Sequence, residues 1–152
     1  AAAAAQAAQA AAQEQARVEQ ARRDRALLDS YTTVADLERT RDDQLAALAA
    51  IATGAQATIA RLEKNLAQMT AQRATYEKDG RAVPAPLQKN IADVEGKLGR
   101  QHGLLTSNAA RRAELETRFA ADIARYRELK GDTLPPPPPA VLEPTAGTAP
   151  AP

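Results

Sequence analysis

Apolar side chains recur at alternating intervals of three and four residues over two long stretches of the chain. Nine of ten positions in the first series are apolar, and nine of thirteen in the second. A repeat of about 3.5 residues sustained over several heptads is typical of a left-handed coiled coil. The predicted seam residues are Leu45, Leu48, Ile59, Leu62, Leu66, Met69, Tyr76, Leu87, Ile91, Val94, Leu98, Leu105, Leu115, Phe119, Tyr126 and Leu129.

Local signals set the limits of the first long helix. A break is predicted at residues 30–33, where Thr33 stands three residues before Asp36. This is the spacing of a capping box, in which each side chain accepts a hydrogen bond from the other residue's backbone amide. We therefore expect a helix over 34–79, which Gly80 ends because glycine readily adopts the left-handed conformation that follows a helix.

A short segment at 80–85 is the predicted hairpin tip, with Gly80, Pro84 and Pro86 as its key residues. Proline interrupts a helix but is accepted in the first turn of the next one, so a second long helix is predicted over 86–130. Each helix is about 68 Å long at 1.5 Å per residue. Two helices of nearly equal length joined by a short loop predict an antiparallel hairpin.

The register of this hairpin predicts matched side-chain sizes along the seam. Small residues are expected to face each other, with Ala52 and Ala55 opposite Ala109, Ala110 and Ala113. Nearer the tip, large side chains are expected to fill the space left by three glycines, with Leu62, Leu66 and Met69 opposite Gly103, Gly99 and Gly96. The alternative is that these glycines only weaken the helix, because glycine lowers helix propensity.

The two ends of the chain differ from the hairpin in composition. Residues 1–29 are rich in Ala and Gln, which favours a solvated helix, with a low-complexity linker as the alternative. Residues 131–152 contain five successive prolines at 135–139 and predict a disordered tail with a stiff polyproline spacer. Docking of these prolines on an aromatic groove stays open. The predicted fold class is therefore all-α.

Composition limits the classes of protein that this chain can belong to. Leu, Ile, Val and Phe total 25 of 152 residues, whereas alanine alone contributes 38. This supply of large apolar groups suffices for a narrow seam between helices and excludes a β-sandwich, a Rossmann domain and most enzyme folds. The chain has no cysteine, so thiolate sites and disulfides are excluded. No run is long and apolar enough to predict a transmembrane helix.

The sequence offers few candidates for catalytic or metal-binding residues. His102 is the only histidine and has no partner for a metal site or a catalytic triad in the sequence pattern. The carboxylates are spread along helix faces, and the chain lacks a phosphate-binding glycine loop. We therefore predict no catalytic residue, no metal, no cofactor and no small-molecule substrate, and we expect the protein not to be an enzyme.

Charged and polar residues on the second long helix leave two questions open. Its arginines alternate with carboxylates, which favours a solvated face over a phosphate-binding stripe, so no nucleic-acid partner is expected. These arginines are Arg111, Arg112, Arg118, Arg125 and Arg127. Four seam positions are polar, and they either set the register of the helices or lie half solvated. They are Gln101, Asn108, Arg112 and Asp122.

Three segments of the chain, 22–43, 80–84 and 118–130, resemble the helical part of uncharacterised proteobacterial envelope proteins. The most specific points are a Leu27-Leu28-x-x-Tyr31 break and a Gly80-x-x-Val83-Pro84 tip. In that family a signal peptide and a small β-rich domain usually precede the helices, and this chain shows neither. The resemblance implies a periplasmic or envelope location and implies no chemistry.

The predicted function is that of a non-enzymatic coiled-coil structural or interaction protein of the cell envelope. A seam containing so many alanines makes an isolated hairpin marginal, so we expect self-association, with a dimer favoured, or binding to another envelope protein. One alternative is a cytoplasmic adaptor that contacts nucleic acid or an acidic partner through the arginines. Another is a fragment whose function lies in a missing N-terminal domain.

Overall fold

A computed structural model describes residues 1–131, and these form three helices. They are α1 (Ala2–Ser30), α2 (Val34–Lys78) and α3 (Ala85–Lys130), of 29, 45 and 46 residues. No strand occurs within residues 1–131, and the predicted all-α class is confirmed. The disordered proline-rich tail was predicted over residues 131–152, of which 132–152 lie outside the described residues.

The helix α1 ends at the predicted break, and a capping box starts α2 at the predicted position. The Asp36 amide donates to Thr33 Oγ1 over 3.1 Å, and the Thr33 amide donates to Asp36 Oδ2 over 3.2 Å. This is the predicted capping box, and it satisfies amides that have no partner within the helix. Tyr31 has an extended backbone and separates the two helices.

The tip is a tight reversal built by glycine and proline. Gly80 has a φ of 68°, and the Arg81 amide donates to the Tyr76 carbonyl over 2.9 Å. This Schellman arrangement ends α2 at Lys78, one residue before the predicted limit. The helix α3 begins at Ala85, one residue before the predicted start, with Pro86 in its first turn.

The helices α2 and α3 lie side by side and run in opposite directions. Glu38 pairs with Arg127 near the ends remote from the tip, at 3.4 Å. Farther along, the side-chain amide of Asn108 donates through Nδ2 to the Leu48 carbonyl over 3.1 Å. Near the tip, Met69 and Val94 line one shared groove. From the base to the tip, the residue numbers of these contacts increase along α2 and decrease along α3, so the two helices are antiparallel.

The predicted matching of side-chain sizes along the pair is wrong. A Cβ atom on Gly99 or Gly103 would meet nothing within 4 Å, and one on Gly96 would meet only the Arg100 guanidinium. All three glycines are exposed, as are the three alanines of α3 that were expected to face α2: Ala109, Ala110 and Ala113. These six small residues of α3 lie on its outer face because larger apolar side chains of α3 occupy the face toward α2.

The main hydrophobic core lies at the end of the pair remote from the tip, and we call it the base cluster. It consists of five buried residues: Leu37, Leu115, Phe119, Ile123 and Tyr126. Partly buried apolar side chains from α1, the break and α2 surround them: Leu27, Leu28, Tyr31, Val34, Leu45 and Leu48. The last turns of α1 thus pack against α3 and cover this end of the α2–α3 pair.

Candidate functional site

The structure places all sixteen predicted seam residues at buried or half-buried positions. Six are buried: Ile59, Leu62, Ile91, Leu115, Phe119 and Tyr126. The other ten are half-buried: Leu45, Leu48, Leu66, Met69, Tyr76, Leu87, Val94, Leu98, Leu105 and Leu129. A pair of helices covers only one side of each seam residue, which explains why most keep contact with solvent. Among the tip residues, Pro84 is half-buried, whereas Gly80 and Pro86 are exposed.

Two buried residues of the base cluster lie outside the predicted seam. Leu37 is fully buried, and Ile123 is more buried than its neighbour Asp122, which holds the predicted seam position. Both belong to the base cluster, against which Leu27 and Leu28 of α1 pack as a third helix at this end. The adjacent Leu27 and Leu28 at the end of α1 were the available sequence signal.

A set of specific polar contacts, which we call the α1 latch, holds the end of α1 to α3. Arg125 Nε and Nη2 donate to the two carboxylate oxygens of Asp24 over 2.9 and 2.7 Å. The Tyr126 hydroxyl donates to the Tyr31 carbonyl over 3.0 Å. A two-point arginine–carboxylate contact fixes orientation as well as distance. The prediction of a wholly solvated first helix therefore holds for residues 1–23, which are exposed, and not for the last turns.

The α1 latch perturbs the charges that form it. Hydrogen bonds from Arg125, with a further one from Gln20, lower the pKa of Asp24 to about 2. The same contact with Asp24, with help from Glu128, raises the pKa of Arg125 above its usual range. Both groups are therefore ionised at neutral pH. The latch is a structural contact, and its two charges satisfy each other.

Three of the six arginines of α3 contact carboxylates within residues 1–131. Arg112 contacts Glu116 at 3.0 Å, Arg125 contacts Asp24 and Glu128, and Arg127 contacts Glu38. The Arg118 guanidinium lies 5.4 Å from the centre of the Phe119 ring. Charges that already have partners contribute less to phosphate binding, because each contact must be broken first.

The four polar seam residues behave differently from one another. Asn108 binds the Leu48 carbonyl on α2 and so fixes the two helices at that level. Gln101 and Asp122 are half-buried, whereas Arg112 is exposed and turned toward Glu116. Of the two interpretations left open by the sequence, a role in register fits Asn108 and a half-solvated position fits the others.

Chemical sites within residues 1–131 are limited. No group of three or more metal-ligating side chains occurs in this part of the chain, and His102 is exposed. A groove of about 550 Å³ lies between α1 and α3, beside Leu27 and Ala121. The charged pair of the α1 latch, Asp24 and Arg125, forms part of its wall.

The middle of the α2–α3 pair has an unusual surface, which we call the charge-free belt. Neither residues 44–60 on α2 nor residues 101–110 on α3 include Asp, Glu, Lys or Arg. The Asn108–Leu48 hydrogen bond joins these two segments. Ile51 and Leu104 lie in the belt and are 48% and 43% exposed. Large apolar side chains are thus presented to solvent within segments that carry no charge.

By length and composition alone, α2 meets the hydropathy criterion for a helix that could cross a membrane. An 18-residue window reaches a mean hydropathy of 1.4, although no transmembrane helix was predicted from the sequence. A core helix of a soluble protein or a signal sequence meets the same criterion. This observation on its own therefore decides nothing about a membrane.

Comparisons of this chain with protein families, with curated proteins and with solved structures found no match. The candidate site is therefore identified from the structure alone. It consists of the charge-free belt in the middle of the α2–α3 pair and the latched base cluster at one end.

Proposed function

We propose that the protein is a non-enzymatic structural or interaction protein of the bacterial cell envelope, built on an antiparallel coiled-coil hairpin that self-associates. The observation that carries this proposal is the charge-free belt with its exposed Ile51 and Leu104. A large apolar side chain exposed in a segment that carries no charge is a candidate contact point for another protein.

The extended shape supports the same function. Two helices of some 45 residues span about 68 Å. A rod of this length separates what is bound at its two ends and presents a long surface to partners, which suits a spacer or an interaction module.

The sparse core supports association with a partner. Between residues 63 and 114, Ile91 alone is buried. Ordering each residue of a helix costs about 1–2 kcal/mol in chain entropy, and seam residues that stay half-buried offset only part of this cost. Packing against a second copy adds buried apolar area to the same helices. In a four-helix bundle, each helix buries apolar side chains against its neighbours in this way.

The envelope location depends on the resemblance of segments 22–43, 80–84 and 118–130 to proteobacterial envelope proteins. Within the structure these segments form the latched end of α1 with the start of α2, the tip, and the α3 side of the base cluster. Fractionation of cells that express the gene with its native upstream sequence tests this location. Recovery in the periplasmic or envelope fraction is expected, and recovery in the cytosol would contradict it.

Sedimentation equilibrium at micromolar concentration tests self-association. A dimer with cooperative helical unfolding is expected. A monomer that keeps full, cooperative helicity would refute the self-association part of the proposal. Titration with duplex DNA at about 100 mM salt tests the adaptor alternative. No shift is expected, because Arg112, Arg125 and Arg127 already contact carboxylates.

A further inference from the structure

The face of α2 within the charge-free belt has no partner among residues 1–131. Ala47, Ile51, Gly54 and Thr58 follow one another at intervals of four, three and four residues, so they share one side of the helix. Ala47, Ile51 and Gly54 are exposed, and Thr58 is half-buried. The Thr58 hydroxyl donates to the Gly54 carbonyl over 3.1 Å. The hydroxyl proton of Thr58 is thus used within the helix, and the rest of the face is apolar.

This face is bounded by two opposite charges. Asp43 precedes it and Arg61 follows it, and both are exposed. The ion pairs formed within residues 1–131 include neither of them. On a helix, positions 43 and 61 point in the same direction, because 18 residues make five whole turns. The two charges therefore flank the apolar face on the same side.

The order of residues along the face is self-complementary when the helix is reversed. We propose that a second copy of this chain docks here, with its α2 antiparallel to the first, about a twofold axis near Ala52. Ile51 then faces Gly54 of the second copy, and Ala47 faces Thr58. Asp43 meets Arg61 of the second copy, and each of these contacts occurs twice, as a twofold interface requires.

Charge and size both select this arrangement. In a parallel pairing, Asp43 and Arg61 of the second copy would lie about 27 Å apart along the helix axis, so only the antiparallel order brings these opposite charges together. A Cβ atom on Gly54 would meet nothing within 4 Å, which leaves room for the Ile51 side chain of the second copy. Ile51 is 48% exposed in the single chain, so docking removes a large apolar side chain from water.

The proposal deepens the proposed function, since it rests on self-association and names the surface that carries it. Ile51→Lys places a charge at the centre of the interface, and we expect the dimer dissociation constant to rise by about a hundredfold or more. Leu104→Lys is the matched control: Leu104 is 43% exposed in the same belt but belongs to α3. We expect its dissociation constant to stay within about threefold of wild type. Sedimentation equilibrium measures both, and circular dichroism checks that both variants stay helical.

A charge exchange tests the antiparallel register. We expect Asp43→Arg to weaken the dimer by about tenfold, and the double variant Asp43→Arg with Arg61→Asp to restore it. A dimer that Ile51→Lys leaves intact, or that Leu104→Lys disrupts equally, would overturn this interface and leave self-association standing. Failure of the double variant to restore the dimer would overturn the antiparallel register. A monomeric wild-type protein would instead refute the proposed self-association itself.

Discussion

The two ends of the α2–α3 pair are built from the same kind of helix but differ in how they are covered. At the base, three helices meet, and Leu37, Phe119 and Tyr126 are at most 2% exposed. Toward the tip only two helices meet, and Ile91 alone is buried among residues 63–114. A third helix closes the side that a two-helix pair leaves open to water, so the same apolar spacing yields a core at one end and a half-solvated seam at the other.

Removing a large side chain from each end is the strongest test of this difference. Phe119→Ala in the base cluster is expected to lower the free energy of unfolding by about 3–5 kcal/mol, because it deletes a ring that is 2% exposed. Leu98→Ala near the tip is expected to cost about 1–2 kcal/mol, since Leu98 is half-buried. Urea unfolding followed by circular dichroism measures both values, and equal losses would contradict the contrast.

Breaking the α1 latch should separate α1 from the pair without unfolding it. Asp24→Asn removes the charge that Arg125 holds at two points, so we expect faster amide hydrogen exchange in the last turns of α1. The control is Glu14→Gln, because Glu14 contacts only Arg17 in its own helix, at 2.8 Å. Exchange near residues 24–30 that is the same in both variants would show that the latch does not hold α1.

Acid should release the same contact. The pKa of Asp24 is about 2, below its ordinary value of 3.8, because Arg125 stabilises the ionised carboxylate. A lowered pKa means that the latch contributes fully above about pH 4 and is lost as the pH falls through about 2. An NMR titration of the Asp24 carboxyl measures this midpoint. A midpoint near 4 would contradict this assignment. It would also be contradicted if acid released α1 over the same pH range in the Asp24→Asn variant as in the wild type.

The smallest effect is expected from the exposed glycines near the tip. Gly99→Ala should stabilise the protein by about 1 kcal/mol, because alanine favours the helix and its Cβ would meet nothing within 4 Å. Thermal unfolding should show a higher midpoint. Gly131→Ala is the opposing control: Gly131 has a φ of 72°, so an added side chain is strained there. A destabilised Gly99→Ala variant would indicate that Gly99 faces a neighbour after all.

Sequence reasoning was most accurate where a few adjacent residues decide the outcome. Thr33 and Asp36 cap α2, and Gly80 ends it in the left-handed conformation, as predicted. It was wrong for Gly96, Gly99 and Gly103, which were placed opposite large residues and lie instead on the outer face. The spacing of apolar residues predicts which residues face inward, but the partner of each residue depends on the register and rotation of a second helix.

The order and periodicity of residues by themselves determined three helices, their limits and the inward position of the predicted seam, because capping and helical periodicity act over a few residues. Only the tertiary structure decided that the end of α1 returns to α3. This contact joins Asp24 to Arg125 across 101 positions of the chain, and it brings Leu27 and Leu28 against the base cluster that contains Leu37 and Ile123. No local pattern encodes such a pairing, since its free energy appears only when distant surfaces meet.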